Sequence, residues 1–307
     1  MTDRQSQSSE NPANRADEET WTVMRLLEWT TSYFKSRGSD CARLDAEVLL
    51  AEARQCERIR LYTMFDDVPN EQERAAFREM VRRRGQGTPV AYLVGHKEFY
   101  SMAFRVDENV LIPRAETEHV IIEALDHIKQ LPLDERDTPL HIADIGTGSG
   151  AIAVTLAKHC PAAIVTAVDL SEDALRIAKW NADKHEVTEQ VTFLHGDLMG
   201  PVTTPVDVLC SNPPYISEKE YEALDPQVRD HEPRLALLAG DDGKELILRL
   251  RDQAAEKVVQ GGKVIIELSP MIASACRDDF EAHPAFTDVH LVKDLSRLDR
   301  LLIAARA

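Results

Sequence analysis

The feature that most constrains the fold is a regular alternation of short apolar runs with amphipathic helical patterns from residue 140 onward. Strands alternating with helices are typical of a parallel sheet that is covered on both faces. Only a short loop separates the last two strands, which indicates a hairpin and one antiparallel strand. The pattern predicts an α/β fold with a seven-stranded sheet. The predicted strands are 140–144, 164–168, 191–194, 206–210, 263–268, 286–292 and 300–304, with helices near 149–159, 171–185, 243–259 and 271–282.

The N-terminal part of the chain follows a different pattern. Residues 20–87 carry apolar positions at helical spacing in successive segments, which predicts a small helical bundle. Residues 1–19 are polar and lack this periodicity, so we expect a disordered tail. Residues 88–112 predict a β-hairpin linker, and residues 113–307 hold the α/β domain.

The linker contains short runs with the composition of β-strands. Glu98–Tyr100 and Ala103–Val106 flank Ser101 and Met102, which predicts a hairpin that turns at these two residues. Val110–Ile112 is apolar and predicts one more short strand before the next proline stops it.

Composition and charge restrict the classes of function. The 307-residue chain carries a net charge of −17, which argues against nonspecific binding of nucleic acid but does not exclude a local basic patch. We expect no direct binding of nucleic acid. No apolar run approaches the roughly 18 residues of a membrane helix. The polar N-terminus lacks the features of a signal peptide, so we expect a cytoplasmic protein with no membrane association. The five cysteines are scattered without a Cys-x-x-Cys pair, so we expect free thiols and no metal site.

A glycine-rich loop, residues 144–150, follows the first predicted strand of the sheet. Here it is called the glycine loop, and its sequence is Asp144-Ile145-Gly146-Thr147-Gly148-Ser149-Gly150. Glycines permit a tight turn and a close approach to a ligand, and the helix start offers free N–H groups. The alternatives are a dinucleotide phosphate site and an S-adenosylmethionine site. Asp144 favours the second, because its carboxylate would repel a pyrophosphate and attract the ammonium group of an amino acid.

Polar residues also follow the next three predicted strands. Asp169 ends the second strand, where a carboxylate can accept hydrogen bonds from ribose hydroxyls, as it does in NAD sites too. Asp197 and Leu198 follow the third strand; Asp197 either accepts from an adenine amino group or caps a helix. Asn212 follows the fourth strand. Because carboxyl ends of parallel strands share one edge, we expect these residues to lie close together.

The loop after the fourth strand, residues 212–215, has the sequence Asn212-Pro213-Pro214-Tyr215 and is called the acceptor loop here. Two prolines stop the strand and stiffen the loop. An Asn side chain held there can pair with a planar amide or an amino group, and Tyr215 offers a flat face to pack on it. A plain Asn-Pro turn is the alternative.

Further segments complete a recognisable set: Pro89-Val90-Ala91-Tyr92-Leu93 with Gly95 and Glu98-Phe99, Leu111-Ile112-Pro113-Arg114-Ala115-Glu116-Thr117-Glu118, and Asp230 to Pro233. With the two loops, these resemble the HemK/PrmC family, the glutamine-N5 methyltransferases that modify peptide chain release factors. The resemblance covers roughly residues 20–307. Ala115 departs from a usual proline, and Ser269-Pro270-Met271 stands where the family often has glycine.

The resemblance implies a Rossmann-like class I methyltransferase domain, S-adenosylmethionine as cofactor, and class-1 release factors as protein partners. The helical domain would then recognise the folded substrate. Cofactor contacts are implied for Asp144, Gly146, Thr147, Gly148, Ser149, Gly150, Asp169, Asp197, Leu198 and Asn212. Catalytic roles are implied for Asn212, Pro213 and Tyr215, and substrate contacts for these three together with Pro214, Arg114 and Glu116.

Other functions stay open at this point. Methylation of a glutamine in a ribosomal protein would use the same motifs. An adenine-N6 nucleic-acid methyltransferase also suits the acceptor loop, but it needs a means of holding a flipped base. A noncatalytic binding module with an inherited fold is the third alternative, and the intact site residues argue against it.

Overall fold

The structure is a computed structural model that describes residues 20–132 and 138–307. The disordered tail expected for residues 1–19 lies outside the described residues. Contacts within the chain divide it into two compact units, one up to Val94 and the other from Gly95 onward. Across the two described ranges, no helix has both the length and the apolar character needed to cross a bilayer.

The first unit is helical, and local sequence signals fix where its helices begin. The Thr22 side chain accepts a hydrogen bond from the N–H of Arg25 at the start of the first helix. Asn70 and Glu73 form a reciprocal capping box at another helix start. Buried apolar side chains, among them Phe34, join the helices in one core. The described elements are α1 Val23–Ser36, α2 Ala42–Ala53, a 3-10 helix Arg58–Thr63, α3 Glu71–Arg84 and α4 Val90–Val94.

The second unit opens with the hairpin of β1 His96–Phe99 and β2 Met102–Arg105. Its turn lies at Tyr100 and Ser101, one residue earlier than predicted. Both have positive φ, of 48° and 58°, as a two-residue hairpin turn with the right twist requires.

The prediction of a strand at Val110–Ile112 is wrong, because these residues are in an irregular segment. The N–H of Ile112 donates to the Glu232 carboxylate at 3.4 Å rather than to a neighbouring strand. Val110 and Ile112 are nevertheless buried, so the apolar run reflects packing without strand pairing.

A seven-stranded mixed sheet forms the centre of the second unit, as predicted. Its strands are β3 Leu140–Ile145, β4 Ala163–Asp169, β5 Val191–His195, β6 Val206–Ser211, β7 Val258–Glu267, β8 Phe286–Lys293 and β9 Asp299–Arg306. The order across the sheet is β5-β4-β3-β6-β7-β9-β8. Strand β9 is antiparallel to both neighbours, which confirms the terminal hairpin. Helix α5 Glu118–Gln130 precedes β3, and between the strands lie α6 Ala151–His159, α7 Glu172–Lys184, α10 Glu245–Lys257 and α11 Pro270–Glu281.

The strand register brings the polar residues to one edge. Ile145 pairs with Val168 and Ser211, and Ser211 pairs with Ile266. The residues that follow β3, β4 and β6 are therefore level with one another. The carboxyl end of β7, at Glu267, lies at the same edge.

Short helices that the sequence did not predict lie between the acceptor loop and α10. They are α8 Glu218–Glu222 and α9 Pro226–Arg229. An isolated parallel bridge between Ile216 and Leu238 joins the two ends of the segment that contains them. Gly243, with φ of 77°, lets the chain return past the acceptor loop: a Cβ there would lie 2.6 Å from the Tyr215 carbonyl oxygen.

Candidate active site

A cavity of about 280 Å³ opens at this edge of the sheet. Of the residues predicted for the site, ten line it: Arg114, Gly146, Thr147, Gly148, Ser149, Asp169, Asp197, Leu198, Asn212 and Pro214. Five do not: Glu116, Asp144, Gly150, Pro213 and Tyr215. Among residues 20–132 and 138–307, no three His, Cys, Asp or Glu side chains are grouped to hold a metal ion.

The glycine loop turns sharply over the end of β4. The N–H groups of Gly146 and Thr147 both donate to the carbonyl oxygen of Val168, at 2.9 and 3.0 Å. Gly146 and Gly148 have φ of 73° and 54°, which glycine adopts without strain. A Cβ at Gly148 would meet no atom within 4 Å, so this glycine leaves open space toward the cavity.

Asp169 links the loop to the end of β4. Its Oδ2 accepts from the N–H of Gly148 and its Oδ1 from the N–H of Ser171, both at 2.8 Å. Burial raises the pKa of Asp169, and these hydrogen bonds oppose that rise. Each oxygen keeps a further lone pair, so the carboxylate can still accept from hydroxyl groups.

Asp144 lies beneath the loop and is completely buried. Its Oδ2 accepts from Thr147 Oγ1 at 2.6 Å and from the N–H of Ala153 at 3.0 Å. Its Oδ1 has no hydrogen-bond partner among the described residues. Burial raises the pKa of Asp144 from the ordinary 3.8 to about 7, so its ionised form would be stabilised by a nearby cation.

Gly150 has a packing role in this structure. It precedes α6 with φ of 80°, and a Cβ there would lie 3.1 Å from the Cβ of Ala178 on α7. The adjacent carbonyl of Ser149 accepts from the Asn181 side chain at 2.8 Å. Asn181, fully buried, also bonds both backbone groups of Arg105 in β2, so it joins the hairpin to the glycine loop.

Asp197 and Leu198, which follow β5, also line the cavity. The Asp197 carboxylate forms an ion pair with Arg249 of α10 and is about half exposed. No helix follows it, so the helix-cap interpretation is wrong. Leu198 has φ of 49° and packs against the apolar core beneath α10 and β7.

Asn212 is held through a chain of two hydrogen bonds. Its Nδ2 donates to Thr117 Oγ1 at 3.1 Å, and that hydroxyl donates to Glu267 Oε2 at 2.7 Å. Glu267 is 1% exposed at the end of β7. With its nitrogen directed at Thr117, Asn212 has its carbonyl oxygen available for another group.

Three other residues predicted for the site are Tyr215, Arg114 and Glu116. Tyr215 packs against the core, and burial raises the pKa of its hydroxyl. Arg114 forms an ion pair of 2.5 Å with the buried Glu232, and Glu116 is exposed. The ion pair fastens the segment before α5 to the segment after α9.

Comparison with known proteins gives the family. The PrmC N-terminal domain matches residues 25–95, and the methyltransferase small domain matches residues 124–232. Release factor glutamine methyltransferase from Rhodopirellula baltica is 54% identical over 298 residues, which is 96% of this chain and 100% of that protein. That from Chlorobaculum tepidum is 41% identical over 289 residues, covering 92% and 97%. The chain belongs to the release factor glutamine methyltransferase family.

Solved structures agree on the fold. The hMettl16 catalytic domain, in complex with a 3′UTR hairpin, superposes with a TM-score of 0.55 at 15% identity, over 74% of this chain and 82% of that chain. At this identity the likeness concerns the fold alone, and it supports a class I methyltransferase architecture.

Sequence reasoning missed several residues that shape the site of this family member. They are Thr117, Asn181, Glu232, Arg249 and Glu267. Glu267 could have been found from the sequence, because it is a charged residue directly after the apolar run Val264-Ile265-Ile266, at the edge of the sheet where ligands bind. Thr117 and Glu232 stand in the motif segments 111–118 and 230–233, but no role was assigned to them. Asn181 and Arg249 gave no signal, because their partners lie far away along the chain.

Proposed function

We propose that this chain transfers the methyl group of S-adenosylmethionine to the side-chain N5 of a glutamine in a peptide chain release factor, in the Gly-Gly-Gln motif. The observation that carries the proposal is the match over the full length of relatives named release factor glutamine methyltransferase. The chain acts as an enzyme of translation termination, which suits a cytoplasmic location.

The residues at the cavity fit the cofactor. S-adenosylmethionine supplies an electrophilic methyl group on a positively charged sulfur. Asp169 has lone pairs left to accept from ribose hydroxyls, and Gly148 leaves the space that a close approach needs. Asp144, buried with an unpaired oxygen, is suited to an ammonium group. Asp197 and Leu198 line the part of the cavity that would take the adenine.

The acceptor loop would hold the glutamine amide. An amide nitrogen is a weak nucleophile because its lone pair is delocalised. Asn212 Oδ1 and the carbonyl oxygen of Pro213 would accept its two N–H bonds and fix its orientation. The same oxygens favour the positive charge that develops as the nitrogen becomes tetrahedral. Such orientation contributes roughly several kcal/mol.

Tyr215 and Pro214 have different parts in this scheme. Pro214 lines the cavity and can contact the substrate directly. Tyr215 is partly buried and packs against the apolar core, where it supports the acceptor loop. Its packing on the plane of the glutamine amide stays part of the proposal.

The chemistry needs no strong acid. The bond from sulfur to the methyl group breaks and leaves a neutral thioether, and the nitrogen releases one of its two protons to solvent after it has gained the methyl group. His141 is not suited to help, because both ring nitrogens are engaged, with Pro205 and Thr166, near the amino end of β3.

Choice among proteins requires contacts remote from the amide, since one glutamine side chain resembles another. The helical unit, residues 20–87, is proposed to supply them for a folded class-1 release factor. A short Gly-Gly-Gln peptide should then be methylated with a much lower kcat/KM than the intact protein.

The decisive experiment is methyl transfer with labelled S-adenosylmethionine to purified release factors, ribosomal proteins and adenine-containing oligonucleotides, with mass spectrometry of the product. Label on the glutamine amide of a release factor, absent with Asn212→Ala, supports the proposal. Preferential labelling of a ribosomal protein or of adenine would replace it.

A further inference from the structure

The two hydrogen bonds behind Asn212 have a defined direction, and this inference from them rests on the proposed function. A carboxylate only accepts hydrogen bonds, so the Thr117 hydroxyl donates its hydrogen to Glu267 Oε2. Thr117 Oγ1 is then left with lone pairs alone toward Asn212. It can be approached there by the Nδ2 group but not by Oδ1.

The direction matters because an Asn amide can be turned either way at little steric cost. With Nδ2 toward the cavity, Asn212 would offer a donor to a substrate group that is itself a donor. With Oδ1 toward the cavity, it offers the acceptor that methyl transfer to an amide nitrogen needs.

We propose that Thr117 and Glu267 are positioning residues that set the orientation of the Asn212 amide and so present Oδ1 to the glutamine nitrogen. Neither residue touches the reacting atoms. They act through Asn212, from a 3-10 turn before α5 and from the end of β7.

The groups around Glu267 affect its pKa, and its protonation state determines the direction of the two hydrogen bonds. Burial raises the pKa of Glu267; the hydrogen bond from Thr117, the charge of Arg300 and a hydrogen bond from Tyr215 oppose the rise, whereas Glu116 adds to it. Arg300 is itself paired with Asp294 at 3.1 Å. A protonated Glu267 could donate to Thr117, which would then donate to Asn212 and reverse the amide.

The test uses the full-length chain and three substitutions. Thr117→Val removes the hydroxyl at nearly constant volume and should lower kcat about 10- to 100-fold, as the loss of one oriented polar contact does. Thr117→Ser restores the hydroxyl and should return kcat to within about threefold. Glu267→Gln can donate or accept, so it should lie between the two. The Kd for S-adenosylmethionine and the KM for release factor should change less than about twofold.

Thr155→Val is the matched control. Thr155 is another buried threonine of the same unit, and its hydroxyl has no hydrogen-bond partner among the described residues. This substitution should leave kcat unchanged. If Thr117→Val fails to fold, Glu267→Gln decides.

The pH profile separates positioning from simple structural support. At saturating cofactor, kcat of the unsubstituted enzyme should fall as pH drops through the pKa of Glu267, and Glu267→Gln should lack this limb. Unchanged kcat in both Thr117→Val and Glu267→Gln overturns the proposal while leaving the proposed function intact. A loss that appears as weaker cofactor binding also overturns it.

Side-chain amide NMR of Asn212 gives a readout that does not depend on activity. With 15N labelling, the two Nδ2 protons should have distinct shifts that change in Thr117→Val but not in Thr155→Val. If no release factor is methylated, this measurement still decides whether Thr117 orients Asn212. Identical spectra in all three proteins would refute the orienting role.

Discussion

The glycine loop and the acceptor loop lie at the same edge of one sheet, but they are held in place differently. The glycine loop is fixed by partners close in sequence: Thr147 bonds Asp144, and Gly148 bonds Asp169, which is 21 residues away. The acceptor loop depends on Thr117, which lies 95 residues before Asn212, and that threonine depends on Glu267, which lies 150 residues after Thr117. The turn of the glycine loop is therefore held by nearer partners than Asn212 is, although Asn181 also joins that loop to the hairpin. Asn212 requires the completed domain.

The largest expected effect tests the acceptor side alone. Asn212→Ala should lower kcat roughly 10²–10³-fold, because it removes an oriented acceptor that acts in the transition state. Calorimetry should show S-adenosylmethionine binding within about twofold of the unsubstituted protein. A variant that binds cofactor and retains near-normal kcat would show that Asn212 has another role.

A second substitution tests the long-range support of the acceptor side. Arg114→Ala leaves the buried Glu232 carboxylate without its ion pair and should lower the free energy of unfolding by about 3 kcal/mol.

Arg234→Ala is its control, because the Arg234–Glu218 pair is more than half exposed on both sides and should cost less than about 1 kcal/mol. Chemical denaturation measures both variants. Equal losses of unfolding free energy in the two variants would mean that the burial of Glu232 does not make its ion pair more stabilising than the exposed Arg234–Glu218 pair.

Gly148→Val tests the cofactor side. The branched side chain would project into open cavity space and force a β-branched residue to a φ of 54°, which costs about 1–2 kcal/mol. We expect S-adenosylmethionine affinity to fall about 30-fold, as measured by calorimetry. Circular dichroism should confirm the fold. Unchanged affinity in a folded variant would remove this loop from the cofactor site.

The smallest expected effect concerns pH. The pKa of Asp144 is raised to about 7, so its carboxylate is protonated at acidic pH. The protonated form has no negative charge to attract the ammonium group of the cofactor. Cofactor affinity should fall about tenfold from about pH 7.5 to about pH 6. In the absence of cofactor, stability should decrease as pH rises from about 4 to about 7, since ionisation is disfavoured in the fold.

Asp144→Asn should remove the pH dependence of cofactor affinity and reduce that of stability, to which the raised pKa values of Asp169 and Glu267 also contribute. Titrations of cofactor binding and of urea unfolding across this range measure them. A wild-type affinity that stays constant with pH would separate Asp144 from the cofactor ammonium.

The same comparison explains what the sequence could predict. Strand periodicity predicted the seven strands and the terminal hairpin, and the order of motifs predicted their common edge. The strand prediction at Val110–Ile112 was wrong because this apolar run is buried in an irregular segment. Gly150, for which the resemblance implies a cofactor contact, packs against Ala178 and does not line the cavity. Thr117 and Glu267 were not assigned to the site because their relation exists only after the chain has folded.

Asn181 has a consequence for how the protein moves. One buried side chain bonds both backbone groups of Arg105 and the carbonyl of Ser149. Opening the hairpin would therefore release the side chain that also holds the glycine loop. Amide hydrogens of β2 and of the first turn of α6 should exchange with solvent as one cooperative unit. A ligand that slows exchange in the loop should slow it equally in the hairpin.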